Sequence, residues 1–167
     1  VCVQTQAVIQ QAGREGLKLS LVLNKMDRLI LELQMTPLEA FLHITHIIEE
    51  INTIISSFIA FDRMTQDEEE NDGGNGTTEN SMFDDDSILE KEHLFDPRRC
   101  NVIFASAKHC WAFHIGQFAT MLSTSLSLRR DSLLKGLWGK FYFNAKDMKI
   151  LKKEKGNLQP MFVALVL

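Results

Sequence analysis

Leu17, Leu19, Leu21 and Leu23 alternate with Lys18, Ser20 and Val22, then the apolar pattern stops at Asn24-Lys25-Met26-Asp27. Alternation with period two predicts a strand over residues 17–23. A second apolar run, Val102 to Ala105, stops in the same way at Ser106-Ala107-Lys108. Short apolar runs that end in small polar clusters mark buried parallel strands delivering loops to the carboxyl edge of an α/β sheet.

Helical spacing fills the intervals. Val3, Ala7, Val8 and Ala12 suit a helix over Val1–Ala12 packed on a sheet, with Gly13 and Gly16 bracketing the turn that follows. Thr36-Pro37-Leu38-Glu39 is a capping box with proline at the first helical position, so a helix starts there. Leu38, Phe41, Leu42, Ile48, Ile51, Ile55 and Phe58 give it one broad apolar face to about Phe58. Phe113, Phe118, Ala119 and Leu122 predict another amphipathic helix behind the Ser106 loop. Leu133, Leu134, Leu137 and Trp138 predict a short helix, and Phe141 to Phe143 a strand turning at Asn144. The fold class is therefore α/β, without internal repeats.

Asp67 to Asn80 breaks the pattern: it is acidic, rich in glycine and asparagine, and too poor in apolar residues to repay the entropy of ordering, which predicts disorder. Charge is divided along the same line. Residues 62–96 hold 13 acids against 2 bases, a net of −11, whereas the other residues hold 9 acids and 16 bases, a net of +7. The overall −4 conceals a basic body suited to phosphate-rich partners. From Arg129 to Lys155 there are 9 bases and 3 acids. An apolar content of 45% in 167 residues is enough for a core. Three cysteines without CxxC spacing read as reduced thiols. No run approaches the ~20 apolar residues of a membrane span, so an intracellular protein with no membrane partner is expected.

The two loops carry the candidate chemistry. Asn-Lys-x-Asp and Ser-Ala-Lys on neighbouring strand ends are the loops with which GTPases recognise guanine. Asp27 can accept from both N1–H and the exocyclic amine, a bidentate charge-assisted pairing. Asn24 can bond the other base edge while tying the loops together, the Lys25 stem can lie along the ring, and the Ala107 N–H would meet O6. Ser106 and Lys108 complete the set. Other constellations carry less. His43, His46, Glu49 and Glu50 fit a surface helix, and Cys100, His109, Cys110 and His114 lack zinc-knuckle spacing, so no metal site is assigned. Ser106 with His109 lacks an oriented carboxylate or nucleophile elbow, and no catalytic residue is assigned.

Val1 to Thr5, Leu23 to Leu33, Trp-Ala-Phe-x-Ile-x-Gln-Phe-Ala at 111–119 and Leu-Trp-Gly-Lys-Phe-Tyr-Phe-Asn at 137–144 resemble the eukaryotic elongation factor 2 group of translational GTPases. The long acidic insertion at 62–99, with Asn144 to Ile150 and the Met161 to Leu167 end, resembles the ribosome-maturation branch of that group. The resemblance implies that Asn24, Lys25 and Asp27 form the fourth guanine-nucleotide motif, with Ser106 and Ala107 in the fifth. It implies the C-terminal part of a P-loop GTPase domain over 1–126, with the start of a subdomain inserted in such domains from about 127. It further implies GTP with Mg²⁺ and a cytoplasmic protein acting on the large ribosomal subunit and its ribosomal RNA. The Shwachman-Bodian-Diamond syndrome protein is implied as partner, with release of initiation factor 6 as outcome. Translocation by elongation factor 2 itself and a non-catalytic binding module are the alternatives. Two departures are local: Cys110 stands where relatives usually have glycine before the tryptophan, and Lys108 restores a small-GTPase-like Ser-Ala-Lys that relatives often lack.

No G-x-x-x-x-G-K-[ST] loop occurs. The family places that loop, the switches and the catalytic histidine upstream of the position of Val1. The expectation is a fragment holding the specificity half of a nucleotide site, inactive by itself.

Overall fold

A computed structural model describes residues 2–70, 94–144, 149–152 and 158–167. The chain forms two compact units, one of residues 1–19 and 47–95, the other of 20–46 and 96–167.

In the first unit, helix α1 spans Val3–Arg14, and Ala12 is its buried residue. The expected helix is present, but Val3 and Val8 are exposed and do not form the apolar contact face that the spacing suggested. Gly16 at φ 62° ends the helix: Leu17 N–H reaches back to Ala12 O at 3.0 Å, satisfying a terminal carbonyl. Leu17 is thus consumed by a helix cap, which corrects its assignment to a strand. Helix α3, Pro37–Glu70, contributes its later part to this unit, burying Ile48, Ile51 and Ile55. Asn52 clamps Phe95, donating to its carbonyl at 2.8 Å and accepting its N–H at 2.8 Å. The helix continues well beyond Phe58, so the start of the acidic segment is helical, contrary to the disorder expected from Asp67 onward. No glycine or proline intervenes before Gly73, and glutamate and glutamine sustain a helix well. The rest of the expected disordered stretch, 71–93, lies outside the described residues.

The second unit carries the sheet. Strand β1 is Leu21–Leu23, shorter than the predicted 17–23, because pairing begins where Leu21 N–H meets Asn101 O at 2.9 Å. It runs parallel to β2, Val102–Ser106, with Leu21, Val22 and Leu23 opposite Val102, Ile103 and Phe104. A third strand, β3 at Trp111–Phe113, returns antiparallel, Ser106 facing Trp111. Phe113 belongs to this strand and not, as its spacing suggested, to the helix beyond. The short helix α2, Met26–Leu31, leaves β1 directly.

Helix α3 opens in this unit. Thr36 N–H donates to Glu39 Oε2 at 2.8 Å while Glu39 N–H donates to Thr36 Oγ1 at 3.3 Å, the reciprocal cap that the sequence predicts. Helix α4, Ile115–Leu126, buries Ile115, Gly116 and Ala119. Helix α5, Arg130–Gly136, buries Leu133, followed by buried Leu137 and Trp138. Strands β4, Tyr142–Asn144, and β5, Lys149–Leu151, pair antiparallel, and helix α6, Met161–Leu165, closes the unit. The core is aromatic: Phe104 lies 5.4 to 5.9 Å from the rings of Phe113, Trp138 and Phe162, and Phe41 packs edge-on to Trp138 at 5.1 Å. Such pairs add to area burial by about 0.5–1.5 kcal/mol each. They anchor the central strand that presents Ser106.

By length and composition, residues 37–61 of α3 also meet the requirement for a bilayer crossing. Glu49 and Glu50 near the middle of that stretch are poor residues for hydrocarbon.

Candidate base-recognition site

The parallel register places the carboxyl end of β1 beside that of β2, so the two predicted loops meet. Asn24 Oδ1 joins them, accepting Lys25 N–H at 2.8 Å and Ala107 N–H at 3.0 Å. Both bonds use the same oxygen, which leaves the Asn24 Nδ2 amine without a partner among the described residues. Lys25 sits at φ 66°, in the left-handed region. A non-glycine residue there is strained, by roughly 1–2 kcal/mol, and such strain clusters at working sites. The bend directs the chain from β1 into α2, with Asp27 in the first helical turn.

Asp27 is the best-supported side chain of the set. Ser106, fully buried at the end of β2, donates its hydroxyl to the Asp27 carboxylate. That bond chiefly holds the carboxyl below the ordinary range; its own backbone N–H and the charges of His109 and Lys108 add to it, against desolvation. Asp27 is therefore ionised at neutral pH and acts as an acceptor only.

Residues 107–110 form the turn between β2 and β3. His109 N–H donates to Ser106 Oγ at 3.3 Å, and Cys110 N–H reaches Ala107 O at 3.4 Å. Cys110 has φ 55°, the conformation that favours the glycine expected from the resemblance.

All six sequence-predicted residues thus come together: Asn24, Lys25 and Asp27 from one loop, Ser106, Ala107 and Lys108 from the other. The Ala107 N–H, expected to meet O6, donates to Asn24 Oδ1, so Asn24 ties the two loops together as expected. His109, weighed in the sequence only as a zinc ligand or as a base for Ser106, is instead beside Asp27, its Nε2 lying 3.6 Å from Asp27 Oδ2. A Ser–His–Asp relay does not form, since Ser106 donates to Asp27 directly and meets His109 through the backbone.

The model of the elongation factor Tu GTP binding domain matches residues 1–150. Ribosome assembly protein 1 of Saccharomyces cerevisiae is 44% identical over 181 residues, covering 100% of this chain and 15% of the relative. Elongation factor-like GTPase 1 of Homo sapiens is 39% identical over 176 residues, covering 100% of this chain and 16% of the relative. The chain spans 15–16% of the length of these curated relatives. A family model that covers residues 1–150 places the chain among α/β translational GTPase domains: it belongs to the elongation factor Tu GTP-binding domain family.

Proposed function

We propose that residues 24–27 and 106–108 recognise guanine in a translational-type GTPase of ribosome assembly. The observation that carries this reading is the Asn24–Ala107 hydrogen bond, which sets an ionised Asp27 and a free amide donor side by side at the joined strand ends. Relatives named for ribosome assembly and as an elongation factor-like GTPase support the biological context. In this reading GTP is bound with Mg²⁺ held by residues outside these 167, because no P-loop motif occurs among them. Residues 1–126 are then part of the GTP-binding domain, 62–99 its acidic insertion, and 127–167 the start of the inserted subdomain.

The whole protein acts, in this proposal, in the cytoplasm on the large ribosomal subunit. It couples GTP hydrolysis to release of initiation factor 6, together with the Shwachman-Bodian-Diamond syndrome protein. The basic stretch from Arg129 supplies contacts to ribosomal RNA. No membrane is involved.

Two experiments test it. In the full-length protein, Asp27→Asn should weaken GTP binding by about a hundredfold or more and favour xanthosine triphosphate, whose carbonyl suits the new amide. Unchanged affinity and no gain for xanthine would remove Asp27 from the site. At the level of function, free large subunits should stimulate the GTPase, and depletion should leave initiation factor 6 on cytoplasmic subunits while elongation continues. Immediate arrest of translocation with normal subunit maturation would point to elongation factor 2 activity instead.

A further inference from the structure

Asp27 reads the base in the proposed function, yet its side chain is only 8% exposed, and the 44%-exposed side chain of His109 stands over one of its oxygens. The carboxylate is already engaged from within by Ser106 and by its own N–H. Guanine needs an outward lone pair on each oxygen for bidentate pairing. Two of the roughly four acceptor sites of the carboxylate are taken from within, and the His109 ring stands beside the outward side of Oδ2 that the base would use. Ser106 is fully buried, and its oxygen is held by His109 N–H at 3.3 Å, so it cannot leave without opening the turn. The His109 ring is the displaceable group: it is partly exposed, and its contact with Oδ2, at 3.6 Å, is electrostatic and too long for a hydrogen bond.

We propose that His109 competes with guanine for Asp27, covering Oδ2 until N1–H and the exocyclic amine of the base displace it. The inference rests on the reading of Asp27 as the guanine acceptor. Asp27 faces the imidazole from α2, and Lys108 is the neighbouring charge in its own turn. A cation at position 109 holds the carboxylate more strongly than a neutral side chain does. The charge placed there therefore sets the strength of the competition.

The test is the affinity of full-length protein for GDP in wild type, His109→Ala, His109→Gln and His109→Lys. The Ala and Gln variants should bind roughly 1.5- to 5-fold tighter than wild type, the scale of a partly exposed ion pair. The Lys variant should bind more weakly than either. Weaker or unchanged binding by both neutral variants would overturn the proposal. Glutamine keeps a neutral side chain of similar reach, so agreement between Ala and Gln separates competition from misfolding. Asp27→Asn separates the two levels of argument. If it gains xanthosine diphosphate binding while the neutral His109 variants bind no tighter than wild type, competition alone fails; if it gains none, the reading of the base site fails as well.

Discussion

The side-chain oxygen of Asn24 accepts the backbone N–H of Ala107 at 3.0 Å, joining residues 83 apart in sequence. Asn24→Ala frees two backbone donors, but both lie where water reaches them. The stability of the 167-residue chain should therefore change by no more than about 1 kcal/mol. Guanine nucleotide affinity of the full-length protein should fall about tenfold or more, because the loops lose their tie and the base loses a donor. Urea unfolding and nucleotide titration check the two halves; a large stability loss without an affinity loss would make Asn24 a purely structural residue.

Ser106→Ala removes the main cause of the low Asp27 pKa. A carboxyl whose pKa is lower folded than unfolded contributes stability above its unfolded pKa, and that contribution is lost as pH falls through the folded value. Wild type should therefore lose this contribution only below the ordinary carboxylate range of about 4. In the variant the Asp27 carboxyl resonance should titrate at higher pH, and the acid limb of the stability profile should flatten. An unmoved Asp27 titration, followed by NMR, would show that the hydroxyl is not its partner.

Cys110 occupies a left-handed conformation at φ 55°. Cys110→Gly removes the clash of Cβ with the backbone, and the gain, net of glycine's greater unfolded-state entropy, should be about 0.5–1 kcal/mol. Thermal unfolding of the chain reads it directly. A lower midpoint would mean that the thiol's packing outweighs the strain.

Phe104 is fully buried among Phe113, Trp138 and Phe162, whereas Trp111 is 39% exposed at the end of β3. Phe104→Ala should cost about 3–5 kcal/mol. Trp111→Ala should cost clearly less. Equal costs, measured by denaturant unfolding, would relocate the core away from β2.

Legibility in the sequence followed the range of the forces involved. The Thr36–Glu39 cap is a local pattern and appears as read. The meeting of Asn24 with Ser106 and Ala107 was legible because two apolar runs end in polar clusters, and parallel pairing brings such ends together. Leu17 misled because alternation is blind to a competing cap, here Leu17 N–H on Ala12 O. Helix α3 overran its predicted end because acidic composition suggested disorder while the same residues favour helix locally. The commitment of the Ala107 N–H to Asn24 and the approach of His109 to Asp27 depend on the torsions of a four-residue turn, on which the apolar pattern is silent.

Leu23 faces Phe104 in a parallel ladder, so the two loops are brought level by strand register and not by proximity along the chain. Spacing between them is consequently a free variable. The stretch separating Asn24 from Ser106 can lengthen, shorten or change charge across a lineage while the splint that aligns the two loops is untouched.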